Sequence, residues 1–298
     1  MQNLKGLLGP MRLPFLVLTP ACVLVGIGTA AWTQGSVDVV NAILVLIGAA
    51  AAHISVNAFN EYFDFKSGLD TRTQRTPFSG GSGTLPESPG LVGQALGTAI
   101  VTLVITALVG IFFVRLHGWG LLPLGLLGTL LIFAYTPWIA KNPLLCLVSP
   151  GLGFGIFMVN GTHYTLTGTY SWTAFIASLI PFFLVSDLLL LNQFPDAEAD
   201  KTTGRRHYPI VIGRRASSLI YSAFLLCTYV SLIVGVLLQL LPPLTLLGLL
   251  TIILAVMVGK RAYTFSDDIP KLVPYLGLNV LINILTPILV SLGLFFSS

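Results

Sequence analysis

Two short stretches of this 298-residue chain carry oxygen ligands at matching intervals. Asn60-Glu61-Tyr62-Phe63-Asp64 and Asn192-Gln193-Phe194-Pro195-Asp196 each set an amide four residues before a carboxylate. Each is followed by a further aspartate (Asp70, Asp200), two arginines (Arg72 and Arg75; Arg205 and Arg206) and a proline (Pro77, Pro209). Residues four apart on a helix share one face, so each stretch presents an amide and a carboxylate side by side. Both are hard oxygen ligands of the kind magnesium takes, and magnesium binds typically through one or two carboxylates plus the phosphates of a substrate. Arginines beside them suit the remaining phosphate charge. Ordinary loop charge accounts for either cluster alone, but not for a matched pair at an offset of 132 residues. The pair implies a diphosphate held by Mg²⁺.

The elements that must position these clusters are membrane helices. The hydrophobic fraction is 55% and the charged fraction 9%, which a soluble globule of this size does not carry. Apolar runs of spanning length fall near residues 13 to 33, 39 to 63, 91 to 114, 118 to 139, 143 to 160, 171 to 194, 216 to 240, 243 to 259 and 271 to 296, giving about nine transmembrane helices. The first run follows a short basic region, Lys5 and Arg12, and reads as an uncleaved first span. With the amino terminus inside, 14 of the 15 cations lie on the inner side and only Arg115 outside. That asymmetry is the positive-inside pattern, and it places the amino terminus and both acidic clusters at the cytoplasmic face of the cell membrane. The net charge of +4 is therefore read as attraction to anionic membrane lipid, with no nucleic-acid partner. Cys22, Cys146 and Cys227 are scattered through apolar runs, which excludes a disulfide framework and a zinc site. The offset between the clusters spans four helices, an even number, so a parallel internal repeat would carry both to one inner site.

Polar residues inside spans add candidates. His53, Asn57, Glu61 and Asp64 draw a stripe along one face of the second helix, which should line the cavity. Contact with a second substrate and simple interhelical hydrogen bonding both account for His53 and Asn57. Asp187 lies nine residues before Asp196, about 13 Å deeper by helical rise. It is either a functional group or a buried structural pair, as are Asn279 and Asn283.

NAFNEYFDFKSGLD (57 to 70) and NQFPDAEAD (192 to 200) resemble the two aspartate-rich motifs of the UbiA superfamily of intramembrane prenyltransferases. The spacing from Asp64 to Asp70 and the run Gly204-Arg205-Arg206 to Gly213 are similar to the branch that prenylates 1,4-dihydroxy-2-naphthoate in menaquinone biosynthesis. The resemblance implies an all-α UbiA-like bundle over residues 1 to 298, a single transmembrane domain. It implies transfer of a prenyl group from a polyprenyl diphosphate to a small aromatic acceptor, with Mg²⁺ as cofactor. The metal set would be Glu61, Asp64, Asp70, Asp196 and Asp200, with Asp64, Asp196 and Asp187 as the catalytic carboxylates. The diphosphate set would be Arg72, Arg75, Lys141, Arg205, Arg206, Asn60, Asn192 and Tyr135. Glu61 stands where the motif usually has aspartate. Gly151-Leu152-Gly153-Phe154 lacks the carboxylate of the Gly-Leu-Gly-Glu segment expected in the naphthoate branch. Pro77 to Gly83, glycine-rich, suits a phosphate cradle, a lid or a plain loop. Homogentisate, 4-hydroxybenzoate, a chlorophyllide and a glycerol-phosphate lipid remain alternative acceptors, and a secondary transporter is the alternative from another class.

Overall fold

The structure, a computed structural model, describes residues 8–73 and 75–298; Lys5, counted above among the inner cations, lies outside them. Helices account for all the regular structure among the described residues. The apolar helices are α1 (Leu8–Gln34), α2 (Val39–Ser67), α3 (Pro89–His117), α4 (Trp119–Ala134), α5 (Pro143–Thr167), α6 (Trp172–Lys201), α7 (Arg214–Leu237), α8 (Pro243–Thr264) and α9 (Ile269–Phe295). Eight are long and apolar enough to cross a membrane, and α4 is shorter. The chain is thus a multi-pass membrane protein.

Local chemistry sets the helix ends. Asp38, Asn142 and Ser171 accept from the backbone N–H three residues on, at 2.7, 3.1 and 3.0 Å, capping α2, α5 and α6. Gly35, Gly68 and Gly168 close α1, α2 and α5 in the left-handed conformation. The fourth helix was expected to run to residue 139 and instead stops at Ala134. Pro137 explains the early stop, because it lacks an N–H and its ring collides with the carbonyl one turn back. At roughly 1.5 Å per residue α4 covers about 24 Å, short of the ~30 Å hydrocarbon core.

Contacts at its two ends show that α4 nevertheless carries the chain across. At one end of the bundle Tyr164 and Tyr170 donate to the carbonyls of His117 and Gly120, and Gln34 to that of Thr167. At the other end Asn60 donates to Thr136, the Arg206 N–H to the Ala140 carbonyl, and Arg72 to Thr202. The loops therefore sort into two sets by parity of nine crossings. Of the long spans, α6 is the most enclosed and α3 the least, so the second acidic motif rides on the central helix. Helix α5 packs closely on it: a Cβ at Gly151 or Gly155 would fall 2.2 Å from the Phe182 carbonyl oxygen or 2.5 Å from its nitrogen. Between those glycines the helix opens into a π turn, Leu152–Phe157.

The sorting is checked with single cysteines in a background lacking Cys22, Cys146 and Cys227. Cysteines replacing Ser36, Thr169 and Leu238 are expected to react with an impermeant thiol reagent from one side of the membrane, and those replacing Ser67, Thr202 and Thr264 from the other. Mixed labelling within either set would break the nine-crossing path.

Candidate active site

The carboxyl-terminal ends of α2 and α6 and the segment after each converge on a cavity of about 210 Å³. Asn60, Asp64 and Asp70 line it from the first half, and Asn192, Asp196 and Asp200 from the second. The wall runs on into the bundle through apolar residues, Phe15, Leu18, Phe154, Val185, Leu188 and Val280 among them, interrupted by the polar groups of His53, Asn57 and Asn283.

One guanidinium joins the halves. Arg205 forms ion pairs with Asp64 of α2 and, at 3.2 Å, with Asp200 of α6. Burial would lower its pKa, but these two carboxylates outweigh burial and hold it above the usual arginine value. Asp200 is fully committed, since its second oxygen pairs with His207 Nε2 at 2.9 Å. Glu61 is committed as well. Arg12 reaches it at 2.7 Å, the Ser82 N–H donates to Oε1 at 2.6 Å, and the Ser82 hydroxyl to Oε2 at 2.9 Å. Glu61 is not on the cavity wall.

The glycine-rich segment folds over this end. Gly80, with φ +82°, turns its N–H to Asp196 Oδ2 at 3.1 Å. Phe78 lies against Gly277 of α9 and, like Gly80 and Gly81, lines the cavity. The segment thus spends its backbone donors on carboxylates from both motifs.

The expected diphosphate set is divided. Arg205, Asn60, Asn192 and Tyr135 line the cavity. Lys141 and Arg206 are exposed and off the wall. Arg72 bonds Thr202 at 3.4 Å, and Arg75 bonds Glu87 at 3.1 Å. These four cations lie outside the cavity wall. Asp187 is also off the wall, fully buried and without a hydrogen-bond partner on either oxygen. Its side chain leaves α6 toward α7 rather than toward the cavity.

Two guanidiniums, Arg12 and Arg205, therefore face four carboxylates, Asp64, Asp70, Asp196 and Asp200. The excess is negative. Burial, and then the charges of Asp64 and Glu61, push Asp70 up to about 7. Asp70 Oδ2, Asp196 Oδ1 and Asn192 Oδ1 are buried oxygens with no donor. Unpartnered hard oxygens in a wall of net negative charge fit a divalent cation. Asp70, Asp196 and Asn192 carry those oxygens and, with Asp64 beside them on the wall, are the residues that would hold such an ion. Among the described residues, no group of three or more His, Cys, Asp or Glu side chains is placed to hold a metal ion by itself; magnesium usually completes its shell with waters and substrate phosphates.

Sequence reasoning missed Arg12 and His207. Arg12 reads only as one more inner cation, and nothing local reveals that its backbone, with φ 50°, aims it at Glu61 and Asn60. His207 follows two arginines in a charge-rich run that hides it.

Residues 20–296 match the UbiA prenyltransferase family. The chain is 29% identical over 218 residues to the 1,4-dihydroxy-2-naphthoate octaprenyltransferase of Bacillus subtilis (strain 168), covering 72% of this chain and 68% of that one. It is 28% identical over 230 residues to the enzyme of that name from Mycobacterium leprae (strain TN), covering 76% and 74%. Among solved structures, a UbiA homolog from Aeropyrum pernix K1 superposes with a TM-score of 0.73 at 16% identity over 94% of this chain and 97% of that one. A UbiA homolog from Archaeoglobus fulgidus bound to GPP and Mg²⁺ does so with a TM-score of 0.58 at 13% identity over 96% and 99%.

The bridge between the halves is open to test by stability. Arg205→Gln leaves Asp64 and Asp200 without their shared cation and is expected to cost about 3 kcal/mol. Adding Asp64→Asn should recover part of the loss. A melting temperature of R205Q in detergent equal to that of the unaltered protein would refute the bridge.

Proposed function

The chain belongs to the UbiA prenyltransferase family, and from that premise we propose that it moves a prenyl group from a polyprenyl diphosphate to a small hydroxyaromatic acceptor in isoprenoid quinone synthesis, using Mg²⁺. The acceptor in the names of the two bacterial relatives, 1,4-dihydroxy-2-naphthoate, is the first candidate. The transporter alternative falls with family membership. The site faces the cytoplasm in this reading, which the inward bias of Lys and Arg supports.

The observation that carries the proposal is the charge of the cavity wall. A diphosphate adds several negative charges to a wall already in excess by two carboxylates. Coulomb repulsion at these distances, with little water, forbids that arrangement without added cations. A divalent ion held by Asp64, Asp70, Asp196 and Asn192 would supply that charge and stabilise the diphosphate as its bond to carbon breaks.

The chain's own residues do the rest. Arg205, at the seam between the halves, places a fixed positive fork where diphosphate oxygens arrive. Gly80 and Gly81 close the inner side. The carbon–oxygen bond breaks with its electron pair leaving on the diphosphate, and the allylic cation bonds to a ring carbon, whose proton passes to solvent. Phe15, Phe154 and Tyr135 surround the cavity with aromatic faces that stabilise a cation and keep water from capturing it. The volume of about 210 Å³ lies below the usual ligand pocket, so a long prenyl tail must lie outside it, between helices or in lipid.

Asp70→Asn and Asp196→Asn test the proposal with least harm to the fold, since neither carboxylate is in an ion pair among the described residues. Each is expected to lower kcat/KM for prenyl diphosphate on the order of 100-fold. EDTA should abolish both turnover and diphosphate binding, and added Mg²⁺ should restore them. Near-normal transfer by both variants, or binding indifferent to EDTA, would defeat the mechanism.

A further inference from the structure

The cavity has a second polar level, far from the carboxylates, built from α2 and α9. His53 lies fourteen residues from Ser67, the inner end of α2, and Asn283 fourteen residues from Ile269, the inner end of α9. At about 1.5 Å per residue both sit roughly 21 Å into the bundle. Both line the cavity from opposite helices.

Each is held by one atom and leaves another free. Thr19 Oγ1 lies 2.8 Å from His53 Nδ1. Either atom of that pair can be the donor; with the Thr19 hydroxyl donating to Nδ1, Nε2 carries the ring N–H. Asn283 Nδ2 donates to the Asn279 carbonyl at 3.0 Å and to Asn279 Oδ1 at 3.4 Å. Asn283 Oδ1 is buried without a partner. One wall thus offers a neutral donor and the other a neutral acceptor. Around them the surface is apolar: Phe154 meets the His53 ring edge-on, with centroids 4.6 Å apart, and Val280 and Ile284 flank Asn283.

We propose that His53 and Asn283 form the acceptor subsite, and that together they select an aromatic ring bearing at least two oxygen substituents. One ring hydroxyl donates to Asn283 Oδ1 while a second ring oxygen accepts from His53 Nε2–H. A buried acceptor on the first hydroxyl draws its proton away and enriches the ring carbons that attack the prenyl cation. His53 stands eleven residues before Asp64, about 16 Å by helical rise, which leaves room for the diphosphate beside the carboxylates and the ring beyond it. An unpartnered buried amide oxygen is costly, and a ring hydroxyl relieves that cost where an alkyl group does not. The inference rests on the reading of the site as a hydroxyaromatic prenyltransferase.

The test uses purified full-length protein with Mg²⁺, geranyl diphosphate and 1,4-dihydroxy-2-naphthoate or either of its mono-methyl ethers. N283A and H53F are each expected to raise KM for the diol about tenfold, equivalent to about 1.4 kcal/mol, with KM for the diphosphate unchanged. The N283A penalty should vanish with one methyl ether, whose blocked hydroxyl can no longer donate, and persist with the other. Should N283A not purify as a folded protein, N283Q, with its amide one methylene further out, carries the same test. Unchanged acceptor KM in the Asn283 and His53 variants, or a parallel rise for the diphosphate, overturns the subsite. If the unaltered protein prenylates no hydroxyaromatic, the proposed function itself fails and takes the subsite with it.

Discussion

Arg205 lies between Asp64 and Asp200, and the arrangement of the inner end follows from that shared cation. Several carboxylates packed around one cavity in a medium of low dielectric repel one another strongly. A guanidinium suits the junction where an ammonium would not, because its planar fork donates to two carboxylates in fixed directions and is weakly hydrated. The pairing also fixes which helix ends meet. Asp64 lies in the last turn of α2 and Asp200 in the last turn of α6, so the bridge sets the register of the first acidic segment against the second.

Part of the remaining carboxylate charge is met by neutral donors. Gly80 and Ser82 turn N–H groups onto Asp196 and Glu61, and Ser82 adds its hydroxyl. Such donors stabilise anions without adding charge, and phosphate oxygens use them as readily as carboxylates do. The left-handed backbone at Gly80, Gly81 and Gly83 is what presents them. At Gly83 the left-handed backbone is what disfavours a side chain, since the nearest neighbour is the flexible guanidinium of Arg75. The loop is therefore part of the electrostatics of the site and its inner cover at once.

Helical crossings were legible in the sequence because a span needs only length and apolar content, and capping residues such as Asp38 and Ser171 mark where helices begin. The fourth helix was overextended because apolar content continues through Trp138 and Ile139 while Pro137 has already ended the hydrogen bonding. The two motifs were legible as a pair, since i, i+4 spacing survives in any helix. What spacing cannot encode is which partner each carboxylate finds. Glu61 and Asp200 look identical in sequence to Asp70 and Asp196, yet the first two are occupied by protein donors and the latter two keep a free oxygen. That difference is made by Arg12, Ser82 and His207, which approach from elsewhere in the chain. Arg72, Arg75 and Arg206 lie off the wall for the converse reason: proximity in sequence to an acidic motif says nothing about the direction a loop takes next.

The separation of charged and neutral polarity along the cavity has its own logic. Carboxylates at the inner helix ends lie near water and near arginine, where keeping them ionised costs little. A bare charge at the level of His53 and Asn283 lies deep in the bundle, where it costs several kcal/mol. It would also compete with the inner carboxylates for any cation in the cavity. Neutral hydrogen-bonding groups avoid both problems and still read polarity. Phe154 fits this pattern: the π turn directs a ring, not a carboxylate, against His53, so the deep wall stays uncharged. In the proposed reaction, diphosphate chemistry would be confined to the carboxylate end of the cavity, and the deep end would discriminate by shape and hydrogen bonds.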